Sequence, residues 1–309
     1  MGAVRSLLIY LGAVFLGGAL LAPWLYWSVQ SLAEHFPAFE RLAANPFHRF
    51  VNRSLLGLAL LGVWPLMRSL GVKSPRDVGL ISPWGQWRRL AGGFALGFIS
   101  LACVAVVSLF AGTRGMNDDA SATRLLERIA GAAVTAVAVS LLEELLFRGA
   151  IFGALRKAVR WPTAALISGA IYAIVHYFAR PEPPMEITWQ SGFATLLRML
   201  HGFVDLEQVV PGFFTLVMAG ALLAVAYERT GNLYFAIGLH AGWIFWRSPY
   251  ALLTRPADGA NAWFWGSDKL TDGWLGLAIL VALLPVLLRL TARPEQPAPE
   301  PCSLASQNQ

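Results

Sequence analysis

Eight stretches of mostly apolar residues, near 6–28, 51–70, 90–111, 130–155, 162–178, 211–228, 232–248 and 273–291, govern what this chain can become. A helix needs about 20 such residues to cross a hydrocarbon core of roughly 30 Å. Inside lipid every backbone N–H and C=O must be satisfied within the protein, so the stretches are expected as helices. The ten-residue alternation of a membrane barrel does not occur. The expected fold is therefore all-α, a polytopic transmembrane helix bundle of about eight spans. Composition agrees: of 309 residues 56% are hydrophobic and 14% charged, with a mean hydropathy of +0.56. Average soluble domains carry roughly a quarter charged residues, so a soluble enzyme and a disordered chain are excluded. Thiols are confined to Cys103 and Cys302, which excludes a disulfide scaffold and a cysteine metal site.

Charge placement gives an expected orientation. Arg5 precedes the first span and no cleavage site follows it, so that span is read as retained and not as a removed signal peptide. The 71–89 connector holds Lys73, Arg76, Arg88 and Arg89, and the 156–161 connector holds Arg156, Lys157 and Arg160. Alternating spans put both on one side, which the positive-inside rule assigns to the cytoplasm together with both termini. The net charge of +6 thus points to anionic lipid as a partner and not to nucleic acid. A compact, Ala/Leu/Gly-rich chain without organelle targeting fits a bacterial inner (plasma) membrane. Residues 1–291 form a single transmembrane helical domain. The 179–210 connector opens on the breaker cluster Arg180-Pro181-Glu182-Pro183-Pro184. Trp189, Phe193, Leu196, Leu197, Leu200 and Val204 then recur at helical spacing, which predicts an interfacial amphipathic helix. Residues 292–309, rich in Pro and polar groups, read as a disordered tail.

Three ionisable side chains break the pattern of the fourth span: Glu143, Glu144 and Arg148. An acid at the centre of a span costs about 2.5–3.5 kcal/mol on insertion scales. Helix neighbours diverge by about 100°, so the two acids are expected to face different partners. Glu144 pairs with Arg148 at i,i+4, in the favourable order, and Glu143 faces an interior cavity. The fifth span carries His176, with Tyr172 one turn before it. Glu143 and His176 stand at matching distances from the connector between their spans, roughly 20 Å at 1.5 Å per residue. An antiparallel hairpin brings them to one level. The seventh span carries His240, flanked by Gly238 and Gly242, which let another helix approach closely. His35, His48 and His201 fall in connectors. Ser140 and Ser168 lie in the relevant spans without an assignable base, and no nucleophile-elbow, HExxH, Walker A or Rossmann motif occurs.

The order Glu143-Glu144-x-x-x-Arg148, then Tyr172-x-x-x-His176, then His240 resembles the CPBP (CAAX protease and bacteriocin-processing, or Abi) family of intramembrane proteases, related to type II CaaX prenyl endopeptidases. The likeness covers roughly residues 130–250. It implies that Glu143 and His176 activate a water, that His240 donates to the oxyanion of the peptide carbonyl, and that Glu144 with Arg148 holds the helix and tunes Glu143. Burial raises the proton affinity of a carboxyl group in general, which suits a general base. Water must reach the site, so a cavity open towards the cytoplasm is implied. Glu143, His176 and His240 could instead hold zinc with a water in the open position; sequence leaves the cofactor open between none and zinc. The implied substrate is a membrane-associated peptide or membrane-protein segment.

Two positions depart from the family's pattern. Its second motif usually begins with Phe, here Tyr172. Asn or Asp usually stands four residues after the last His, here Ile244, which cannot donate a hydrogen bond. Ile244 leaves open a non-proteolytic immunity or scaffold membrane protein, and the Glu and His residues inside the membrane leave open a proton or metal transporter.

Overall fold

The computed structural model describes residues 2–117, 119–179, 181–204, 206–267 and 272–292, less the side chains of 207 and 208. The expected tail, Cys302 and Arg180 lie outside these residues. Eight long helices stand where the eight apolar stretches are: α1 (Ala3–His35), α2 (Phe47–Ser69), α3 (Trp87–Phe110), α4 (Ala122–Glu144), α5 (Trp161–His176), then α7 (Leu206–Thr230), α8 (Tyr234–Leu253) and α9 (Trp274–Leu290). A short helix, α6 (Ser191–Met199), sits between α5 and α7. Helix α4 continues as a π-helix over Leu145–Phe152 and one further turn to Leu155. Five of these are long and apolar enough to cross a membrane: α1, α2, α3, the whole of Ala122–Leu155, and Val209–Thr230 within α7. Helices α5 and α9 are apolar but shorter, and α8 carries His240 and Arg247. The chain is an all-α membrane bundle, with one small addition. Arg114–Met116 pairs antiparallel with Thr254–Pro256, tying the loop after α3 to the end of α8.

Small residues set how closely the helices cross. A methyl group on Gly93 or Gly97 of α3 would run into the carbonyls of Phe235 or Leu239 on α8. Gly238 and Gly242 of α8 face the carbonyls of Leu90 and Phe94 in the same way. Helices α5 and α7 cross at a second such point, where a Cβ on Gly220 would stand 2.7 Å from the Gly169 Cα.

The bundle has two distinguishable ends. At one, Lys157 donates to the Leu70 carbonyl, Arg156 pairs with Glu228 at 2.9 Å and Arg229 donates to Thr291 at 3.2 Å. The turn over 75–79 docks there through Gly79, whose φ of +82° and crowding against Tyr227 and Asn232 leave no room for a side chain. Both basic connectors therefore meet at one end, with the start of α1 and the end of α9. The β-ribbon marks the other end.

Helix α6 is amphipathic as expected, but it shows the bundle its small and polar face. Ser191, Gly192 and Thr195 are buried with Met199, and Gly192 lies against the Ala19 carbonyl of α1. Trp189, Leu197, Leu200 and Val204 point outwards. An apolar outer face is stable only against lipid, so the pattern suits a helix held between bundle and bilayer.

Candidate active site

The fourth-span triad is brought together with His240 by the α4–α8 packing. Arg148 Nη1 donates to Glu144 Oε1 at 2.8 Å, and both side chains are fully buried. Arg148 Nη2 donates to the Gly220 carbonyl at 3.2 Å, so the guanidinium ties α4 to the α5–α7 crossing. The Phe147 and Tyr172 rings lie against it, with centroids 5.8 and 5.2 Å from Cζ.

The two acids do not separate as fully as helical geometry predicts. His240 Nδ1 lies 2.8 Å from Glu144 Oε1, and its Nε2 lies 3.7 Å from Glu143 Oε2. One imidazole thus stands between adjacent carboxylates, because its two nitrogens point in opposite directions and both glutamate side chains are long. Tyr172 adds a contact that sequence reading missed: its hydroxyl lies 3.3 Å from His240 Nε2. The Tyr172 ring lies against His176 one turn on, tilted by 48° with ring centroids 4.3 Å apart. His176 Nδ1 donates to the Tyr172 carbonyl at 2.7 Å, which leaves its Nε2 as the free nitrogen.

Glu143, Tyr172, His176 and His240 line the inner part of a cavity of about 680 Å³. Glu143 Oε2 is buried and no protein donor reaches it. Glu144 and Arg148 do not line this cavity; they stand behind it. From Glu143 the α4 wall runs through Val139 and Thr135 to Arg128 and Glu127, and from His240 the α8 wall runs through Ile244 and Arg247 to Ala251. Both walls lead to the β-ribbon end, away from the two basic connectors, the start of α1 and the end of α9. The expectations of cytoplasmic termini and of a cavity open to the cytoplasm are therefore incompatible in this fold. Arg247 is a wall residue that sequence reading passed over, although its i+7 spacing from His240 places it on the same helix face.

The serines of these spans are committed to backbone: Ser168 donates to the Phe147 carbonyl at 3.3 Å and Ser140 to the Val137 carbonyl at 3.4 Å. His48 lies against the Pro181 carbonyl, and His35 bonds its own helix. As for zinc, among the described residues no group of three or more His, Cys, Asp or Glu side chains is placed to hold a metal ion. His240 directs Nδ1 to Glu144 and Nε2 to Tyr172, so Glu143, His176 and His240 as they stand do not fit one.

Residues 125–246 match the family of type II CAAX prenyl endopeptidases, Rce1-like. This stretch contains Glu143, Glu144, Arg148, Tyr172, His176 and His240. The chain is 23% identical over 240 residues to the uncharacterized protein YyaK of Bacillus subtilis (strain 168), covering 76% of this chain and 73% of that one. No solved structure matches the chain. The family resemblance read from the motifs is thus shown, and at the level of the family it supports a CAAX-type intramembrane protease.

Proposed function

We propose that this chain is an intramembrane endopeptidase in which Glu143 and His176 activate a water against a peptide bond of a membrane-associated substrate. The observation that carries the reading is Glu143 itself: a buried carboxylate oxygen without a protein donor, facing a cavity shared with His176 and His240. Leaving such an acceptor unpaired is costly unless water or substrate fills the place. Glu143 takes a proton from the water as the oxygen attacks the carbonyl carbon. His176 orients that water through Nε2, the nitrogen its Tyr172 bond leaves free. Glu144 and Arg148 are positioning residues: they fix His240 and the π-helical turn from outside the cavity.

The positive-inside rule then sets the end carrying Arg156, Lys157 and Arg229 in the cytoplasm, with both termini, in a bacterial inner membrane. The cavity, opening at the other end, takes its substrate from the extracytoplasmic half of the bilayer.

The test is cleavage by purified protein in nanodiscs, with a prenylated CaaX peptide and a panel of single-span proteins as substrates. Loss of a general base typically costs 10²–10⁴-fold, so Glu143→Gln should lose turnover by about that factor. Equal cleavage by the wild type and Glu143→Gln would remove Glu143 from the chemistry. Biological activity that survives Glu143→Ala would favour a scaffold role.

A further inference from the structure

The hydrolysis proposed above needs a hydrogen-bond donor for the carbonyl oxygen as charge builds on it, and the donors at the inner end of the cavity can be counted. His176 has its Nδ1 proton on the Tyr172 carbonyl, so the neutral ring offers the cavity an acceptor. His240 has Nδ1 at 2.8 Å from the Glu144 carboxylate, which only accepts, so Nδ1 donates there and, in the neutral ring, Nε2 is again an acceptor. Trp243, on the same wall, gives its indole N–H to Ser100 Oγ at 2.9 Å. Ile244, one turn beyond His240, has no donor to give. Glu143 is the base. What remains at this level is the Tyr172 hydroxyl, which is the donor to the neutral His240 ring in its 3.3 Å contact with Nε2.

We infer that Tyr172 is the oxyanion donor of this site. Its ring is held by Phe147 edge-on at 5.1 Å and by His176 at 4.3 Å, so the hydroxyl is pre-positioned and only the O–H rotor turns. The resting contact is long for a hydrogen bond from a hydroxyl, so giving it up costs little. In the step itself the water oxygen bonds to the carbonyl carbon and the water proton passes to Glu143. The carbonyl π pair moves onto oxygen, which accepts from the Tyr172 O–H. Collapse of the adduct then breaks the C–N bond, and the leaving amine takes the proton from Glu143. His240 serves as the acceptor that aims the hydroxyl. The inference also explains how a site with Ile244 in that wall can work: the phenol supplies the donor that an aliphatic side chain lacks.

The inference rests on the hydrolytic reading, and the experiment separates the two. Wild type, Glu143→Gln, Tyr172→Phe, Ile244→Asn and the double variant Tyr172→Phe/Ile244→Asn are compared for kcat and KM on a cleaved substrate. Removing one oxyanion donor typically costs 10²–10³-fold in kcat. Tyr172→Phe keeps the ring and should lose about that factor with KM unchanged, and the added amide at 244 should restore part of it. A peptidyl aldehyde whose hydrate carries the tetrahedral oxygens gives a readout without turnover. Its Kd should rise about 100-fold in Tyr172→Phe, in step with the lost donor, and that of the product peptide should not change. Unchanged kcat and unchanged aldehyde affinity in Tyr172→Phe would overturn the inference and pass the role to a protonated His240. A loss that spreads equally to KM and product binding would reduce Tyr172 to a packing role. Insensitivity to Glu143→Gln would instead sink the hydrolytic reading.

Discussion

Replacing Arg148 by Met tests the claim that the cavity is held from behind. Two donors go at once: the 2.8 Å bond to Glu144 and the 3.2 Å bond to the Gly220 carbonyl. Both side chains of the ion pair are fully buried, and breaking such a pair from one side costs about 3–5 kcal/mol because the remaining charge is stranded. His240 Nδ1 stays 2.8 Å from the same Glu144 oxygen and offsets part of this. The expected cost is therefore about 3 kcal/mol, the lower end of that range. Glu144→Gln strands the guanidinium instead. The double variant Arg148→Met/Glu144→Gln leaves neither charge buried, so it should recover at least about 1 kcal/mol relative to the sum of the singles. Denaturant titration in mixed micelles, run as a double-mutant cycle, gives all four values. The folded fraction of each variant should bind substrate with unchanged KM, because neither residue lines the cavity. Arg148→Met within about 0.5 kcal/mol of wild type, the level of a surface change, would refute the reasoning, and so would strictly additive costs.

Glu143→Gln should leave stability within about 0.5 kcal/mol of wild type, since Oε2 has no hydrogen-bond partner in the protein and its nearest partner, His240 Nε2, stands 3.7 Å away; a large shift in the unfolding midpoint would show a structural role. Gly238→Val should cost at least about 1–3 kcal/mol as an overpacking change, because the new side chain meets the Leu90 carbonyl and stands 2.9 Å from the Phe94 nitrogen at its Cβ; a neutral result would mean that α3 and α8 pack less closely than described. In a Cys103→Ser/Cys302→Ser background, Lys157→Cys should react with an impermeant thiol reagent only after the cells are opened, and Ala251→Cys in intact cells; the reverse pattern inverts the orientation. Asp77 accepts from the Lys73 and Ser74 amides, and these bonds hold its carboxyl below the usual range. Its contribution to the 74–79 turn is therefore present above the ordinary carboxylate pKa and lost as pH falls through the depressed one. Amide exchange at Lys73 and Ser74 should quicken in Asp77→Asn at neutral pH, and unchanged exchange would sink this assignment.

The spans, the Glu144–Arg148 pair and the depth match of Glu143 with His176 were legible because each follows from helical period and rise alone. Gly238 and Gly242 could be read as a close-approach face, but which helix approaches could not, since Gly93 and Gly97 lie well over a hundred residues earlier and no local rule links them. That missing partner is why sequence reading set the two acids against separate partners. Where α8 is drawn in by four interlocking glycines, a single imidazole reaches both. The same limit applies to Tyr172. Its place on the His176 face was plain from the i,i+4 spacing, but the target of its hydroxyl depends on how far α8 lies from α5.

Orientation shows the limit in another form. Basic connectors and a water-filled site were each sound inferences, and both were assigned to the cytoplasm. Only the fold reveals that they occupy opposite ends, because the direction in which a cavity opens depends on which helix faces stay apart. Here the α4 wall from Glu143 to Glu127 and the α8 wall from His240 to Ala251 stay apart all the way to the β-ribbon. The ribbon joins the loop before α4 to the end of α8 beyond the cavity mouth, so it fixes the spacing of the two walls without closing the space between them. A substrate backbone approaching from that end passes Arg247 before it reaches Glu143. Its carbonyl then meets the inner end of the cavity, where the Tyr172 hydroxyl lies beside His240.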